Sequence, residues 1–185
     1  MFDRSTNLIL ALALLAAIIG GFAQHQRPSP VIAQDDAALV GEPVPALSLP
    51  DLQGRNHALA DYRGQRLLLN FWATWCRPCL EEMLALNRAQ QKFGDHGAIV
   101  LGIAMDDPER VRSFLVKNPV SYPILLGQLE DPSTSLQLGD TREILPYSVL
   151  VGEDGRIMAT HVGVLSTARL EDWLTRAAVP SAKAD

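Results

Sequence analysis

At 185 residues the chain has room for one ordinary domain and a short extra segment; 48% of its residues are hydrophobic and 20% charged, which is normal globular usage. A formal net charge of −5, with no basic run or basic helical stripe, excludes a nucleic-acid binder, because phosphate contacts need clustered Lys and Arg.

Residues 8–23 read LILALALLAAIIGGFA, without a charge, behind the polar head MFDRSTN whose one basic side chain is Arg4. That is the layout of a secretory signal peptide or of a signal anchor retained in the membrane. The length lies between a cleavable apolar region of about 7–15 residues and a span of roughly 17 or more. Small-residue cleavage sites exist at Gly21-Phe22-Ala23 and Val31-Ile32-Ala33. The expectation is export, with a retained anchor favoured over cleavage. The following QHQRPSPVIAQDDAA lacks periodicity and reads as a linker. Leader and linker thus take up 1–38, a folded domain 39–179, and a small polar tail 180–185.

Within the domain, 46–52 and 56–59 flank the turn-former Gln53-Gly54 and predict an N-terminal hairpin. The apolar run 67–72, interrupted only by Asn70, is the mark of a strand covered on both faces. A helix follows over 78–93, starting at Cys76 or Arg77 and ending at Gly94; 99–104 is a second buried strand. Asp107-Pro108-Glu109 opens another helix, with Asp107 as N-cap. Further expectations are a strand at 122–126, a short helix at 132–138, a hairpin pairing 148–151 with 156–161, and a closing helix over 167–178. Strands alternating with helices, then a hairpin and a helix, predict an α/β fold with helices on both faces of one sheet.

The two cysteines, Cys76 and Cys79, stand in the run Trp75-Cys76-Arg77-Pro78-Cys79. Structural zinc needs four ligands, and His25, His57, His96 and His161 sit singly, without ligand spacing. Covalent haem attachment needs His directly after the second Cys, where this chain has Leu80. A purely structural bridge closing so short a loop contributes roughly 2 kcal/mol in the chain-entropy model, in a domain large enough to rely on its core. Redox chemistry fits best. Cys76 at a helix N-terminus has its thiolate stabilised by unpaired N–H groups and the helix dipole, with Arg77 adding a screened positive charge. Cys79, one turn in, is placed to resolve a mixed disulfide, and Pro78 stiffens the loop. No metal and no cofactor is called for.

The run Leu68-Leu69-Asn70-Phe71-Trp72-Ala73-Thr74-Trp75-Cys76-Arg77-Pro78-Cys79 resembles the active-site strand and helix of the thioredoxin superfamily. Leu80-Glu81-Glu82-Met83, together with Gly41-Glu42-Pro43-Val44-Pro45, Leu49-Pro50-Asp51-Leu52-Gln53-Gly54 and Tyr62-Arg63-Gly64, is similar to its exported TlpA/ResA-like (DsbE/CcmG-like) branch, which includes the cytochrome c maturation reductases. The resemblance covers nearly all of 39–178. It implies a thioredoxin-like fold: a central mixed β-sheet flanked by helices on both faces, with an N-terminal β-hairpin extension. Asn70 stands where cytoplasmic thioredoxins carry a buried Asp; the TlpA-like branch has Asn there and a Glu in the helix, which Glu82 matches. Leu84 departs from the Pro that the branch favours after Met83, so a straighter helix start is expected.

The resemblance also implies that Pro146, in Leu145-Pro146-Tyr147, is cis and faces the Cys pair, with Leu145 offering backbone groups to a bound substrate strand. Read without it, Pro146 could equally be an ordinary loop-to-strand proline. Glu82 is the candidate proton-handling acid, set against the alternative of a solvated residue complementing the helix dipole. Trp75 is expected on the apolar rim of Cys76, and Arg77 and Pro78 at the substrate-facing surface. Trp72 and Trp173 are read as packing residues.

The function expected is extracytoplasmic thiol–disulfide exchange, with Cys76 attacking and Cys79 resolving. The resemblance implies a reductant fed by a membrane thiol-transfer donor and acting on apocytochrome c CxxCH cysteines or a copper-site thiol pair. Alternatives are a net oxidant or isomerase, a peroxidase (although Thr74 lacks the upstream Pro that peroxiredoxins show), and a non-catalytic apoprotein-binding module with a static disulfide.

Overall fold

The computed structural model describes residues 38–94 and 97–175. The expected leader, most of the linker, the tail and the last turn of the closing helix lie outside them. Among the described residues no helix is long and apolar enough to cross a membrane.

A small antiparallel sheet comes first: β1 (Ser48–Pro50) and β2 (Asn56–Ala58) pair as the predicted hairpin, in the register Leu49↔His57. β1 is shorter than expected because Asp51 turns the chain. Its carboxylate accepts the backbone N–H groups of Gln53 (2.8 Å) and Arg55 (2.9 Å), the Arg55 Nε (2.9 Å) and the His57 Nε2 (3.0 Å). Those bonds, His57 foremost and then the Arg55 and Gln53 groups, hold the carboxyl well below the usual carboxylate range despite its burial. Leu59, expected to end β2, instead begins a 3-10 turn over Leu59–Tyr62 that the periodicity did not announce.

The main sheet has five strands. β3 (Leu67–Trp72) is buried at all six positions, as its unbroken apolar run predicts. It lies parallel to β4 (Ile99–Ala104), which lies parallel to the edge strand β5 (Ile124–Leu126). On its other side β3 pairs antiparallel with β6 (Tyr147–Val151), which continues into the hairpin partner β7 (Ile157–Val162). The order is β5-β4-β3-β6-β7, a mixed sheet. β5 starts later than predicted because Pro123 has no N–H to donate; its carbonyl accepts from Gly102 N (2.9 Å).

Among the described residues four α-helices complete the layers: α1 (Arg77–Phe93), α2 (Pro108–Lys117), the short α3 (Thr134–Gln137) and α4 (Thr167–Thr175). Asp107 caps α2 as expected, accepting from Glu109 N and Arg110 N. Alternate β3 residues feed two cores. Leu68 and Trp72 pack with Cys79, Met83 and Leu86 of α1, Val111 of α2, and Leu170, Trp173 and Leu174 of α4. Leu69 and Phe71 pack on the opposite face with Leu49 of the hairpin, Leu59, and Leu138 after α3.

Gly102, in the middle of β4, marks a close approach. A Cβ there would lie 2.6 Å from Ile124 Cδ1, 3.0 Å from the Tyr122 ring and 3.3 Å from Trp72 Nε1. Gly102→Ala therefore overpacks the α1 face of the sheet. A loss of about 1–3 kcal/mol in urea-unfolding free energy is expected.

Candidate active site

β3 and β4 end side by side, with Trp72 opposite Ala104 and Met105 N donating to Trp72 O (2.8 Å). Beyond that bond the chain leaves the sheet and turns over 73–76, closed by Cys76 N donating to Ala73 O (3.1 Å). Cys76 is the N-cap of α1, and its Sγ accepts from Cys79 N (3.3 Å). Cysteine sulfur thus occupies the position where Ser or Asp usually satisfies the free N–H groups of a first turn. Pro78, within that turn, lacks an N–H that would have had no helical acceptor.

Cys76 and Cys79 are joined in a disulfide with Cα atoms 5.3 Å apart. The two sulfurs differ in access: Cys79 is wholly buried, whereas Cys76 retains 5% of its surface. A bulky partner can meet only Cys76. Trp75, next to it in the chain, is 68% exposed, and Arg77 and Pro78 are exposed as well. Arg77 makes a solvent-facing pair with Glu81 (3.4 Å) that contributes little to stability.

The buried face of α1 carries Cys79, the adjacent Glu82 and Met83, Leu86 and Ala89, each one helical turn from the last. Glu82 therefore lies one turn along from Cys79 on the same stripe, and it is 2% exposed. The solvated, dipole-complementing alternative for Glu82 is overturned; Glu81, its neighbour, is the surface residue. Glu82 Oε2 accepts from Asn70 Nδ2 (2.8 Å), and Oε1 accepts from Leu165 N (2.6 Å) in the loop between β7 and α4. Asn70 Nδ2 also donates to Ser148 Oγ of β6 (3.0 Å). Burial pushes the Glu82 carboxyl above the usual carboxylate range, against the two hydrogen bonds that favour its charged form. Such a group can take up or release a proton close to a buried thiol.

The Leu145–Pro146 peptide is cis. In register, Tyr147 pairs with Phe71, which sets the buried Pro146 at the end of the sheet where the cysteine turn leaves. Leu145 packs against the core cluster that contains both cysteines. The structure therefore brings Trp75, Cys76, Cys79, Glu82, Leu145 and Pro146 to one end of the sheet. Sequence reasoning missed Leu165 and Ser148, which supply a backbone N–H and a hydroxyl and carry no motif. For Glu82 a signal existed: an acid on the same helical stripe as Cys79, Met83 and Leu86 is destined for the interior.

The sequence profile of the AhpC/TSA family matches residues 40–160. The thiol-disulfide oxidoreductase ResA of Geobacillus thermodenitrificans is 28% identical over 167 residues, 90% of this chain and 91% of that protein. The thioredoxin-like protein YneN of Bacillus subtilis is 31% identical over 137 residues, 72% of this chain and 78% of its own length. Among solved structures, a Chlorobium tepidum protein provisionally described as thiol:disulfide interchange protein DsbE aligns with a TM-score of 0.64 at 26% identity, covering 72% of this chain and 94% of that one.

Because folding raises the Glu82 pKa, the folded state holds this proton more tightly than the unfolded chain. Its contribution to stability is complete below the ordinary carboxylate pKa and is lost as pH rises through the raised value. Glu82→Gln should abolish that part of the pH dependence, read as a flatter profile of urea midpoints between about pH 4 and pH 8. An unchanged slope would show that the carboxyl does not titrate differently on folding.

Proposed function

Since the chain belongs to the AhpC/TSA family and is a thiol–disulfide oxidoreductase like its ResA-type relatives, we propose that it is an extracytoplasmic protein-disulfide reductase held at the membrane by residues 8–23. The observation that carries the mechanism is the unequal access of the two sulfurs, with a buried carboxyl on the stripe of the hidden one. In the reduced protein, Cys76 attacks one sulfur of a substrate disulfide as a thiolate, stabilised by the Cys79 N–H and the α1 N-terminus. The substrate's other sulfur leaves as a thiolate and takes a proton. Cys79 gives its proton to the Glu82 carboxylate and attacks Cys76 Sγ. The intramolecular disulfide forms, and the reduced substrate departs. A membrane thiol-transfer donor then returns two electrons and two protons to the pair.

Leu145 and Pro146 form the wall along which a substrate strand lies, with Trp75, Arg77 and Pro78 as its rim. The substrates that suit this role are apocytochrome c, through its CxxCH pair, and a copper-site protein with two thiols. Residues 1–38 are the anchor and linker, 39–179 the catalytic domain and 180–185 a tail.

The reduction potential of the Cys76–Cys79 pair, equilibrated against defined thiol buffers and followed by Trp fluorescence, tests the direction. A value below roughly −220 mV is expected; one near −120 mV would make the protein an oxidant and overturn the proposal. Replacement of each cysteine tests the division of labour. Cys79→Ser should accumulate mixed disulfides with substrate through Cys76, whereas Cys76→Ser should accumulate none on a non-reducing gel.

A further inference from the structure

Beyond Trp72 the cysteine turn has left the sheet, and what fixes it next is a side chain from the neighbouring strand's loop. Asp106, two residues past the end of β4 and 6% exposed, aims Oδ2 at Thr74, accepting both the Thr74 N–H (3.0 Å) and the Thr74 hydroxyl. Its Oδ1 accepts from Asp107 N (2.7 Å) and faces Arg110 Nη1 of α2 at 3.9 Å. One buried carboxylate therefore ties the peptide just ahead of Trp75 and Cys76 to the first turn of α2. Burial opposes its ionisation, but the Thr74 and Asp107 donors, with Arg110 adding to them, hold it below the usual carboxylate range.

We infer that Asp106 is a positioning residue for the attacking thiol, acting through Thr74 to keep Cys76 Sγ seated on the N-terminus of α1. The seating depends on direction as well as distance. Cys76 Sγ accepts from Cys79 N only while the 73–76 turn presents the Cys76 backbone in its extended, capping conformation. The turn's own bond, Cys76 N to Ala73 O, sets its shape but not its orientation to the sheet. The orientation comes from the doubly hydrogen-bonded Thr74. A loosened turn lets the sulfur swing off the helix N-terminus, and the thiolate loses the N–H groups that stabilise it.

Positioning and simple charge have opposite signatures. A negative charge near a thiolate disfavours it, so if Asp106 acted by charge alone its neutralisation would make Cys76 more reactive. If it acts by position, breaking the tether makes Cys76 less reactive even where the charge stays. The inference rests on Cys76 being the attacking sulfur. The full chain, reduced, is alkylated with iodoacetamide across a pH series, and the modified cysteine is identified by mass spectrometry.

Asp106→Asn places an amide donor against either Thr74 or Asp107 N–H. Thr74→Val keeps the charge and removes the hydroxyl bond. Both should slow Cys76 alkylation at pH 6 about three- to tenfold, a rise of roughly half a unit to one unit in thiol pKa. Thr74→Ser, which restores the hydroxyl, should stay close to the parent. A Thr74→Val rate equal to the parent's, or a faster Asp106→Asn, would overturn the positioning role. Modification of the parent at Cys79 instead would overturn the assignment of Cys76 itself, a separate result visible before any variant is made.

Discussion

The Glu82 carboxylate touches three parts of the fold at once. It sits on α1, accepts from Asn70 of β3 and from the backbone ahead of α4, and through Asn70 reaches Ser148 of β6. A buried carboxylate is costly unless its lone pairs are met, and here each oxygen has a donor. The arrangement sets how α1 lies on the sheet. Rotation of the helix about its axis would strip those donors and leave a buried anion unpaired. Cys79, on the same stripe, is kept sealed by that constraint, and Cys76 is left as the sulfur that faces outward.

From that anchor the site extends along the end of the sheet. β3 and β4 run parallel, so both turn towards their helices at the same end, and each sends a loop into the same small region. One loop carries the cysteines and the other carries Asp106. β6 arrives antiparallel beside β3 and brings the cis Leu145–Pro146 peptide to the same end. The hairpin of β1 and β2 puts Leu49 into the second core, on the other face of the sheet, while Leu52 in its turn packs against the first.

Much of this was legible before the fold was known because the signals are local. A continuous apolar run, a Cys pair at its end and a helical stripe after it place β3, the turn and α1 within a residue or two. The Asp107-Pro108-Glu109 start of α2 and the Gly152–Gly155 turn of the last hairpin are local as well. Less legible were strand ends decided by single side chains, such as β5, delayed by Pro123, and β1, cut short by the bonds that Asp51 gathers. Glu82 was readable as an acid of the correct spacing, but its burial depends on β3 and the α4 approach lying over it. Asp106 was less visible still. In sequence it is one of two adjacent aspartates before a helix, and only parallel pairing of β3 with β4 brings it to Thr74.

Arg77 and Pro78, the two residues between the cysteines, are both exposed, and their contacts with the rest of the domain are slight. The residues that hold the fold at this end, Cys79, Glu82, Met83 and Asp106, lie beneath or beside them instead. Over evolutionary time the intervening dipeptide can therefore be exchanged with little penalty to folding, while the sulfur chemistry above it shifts.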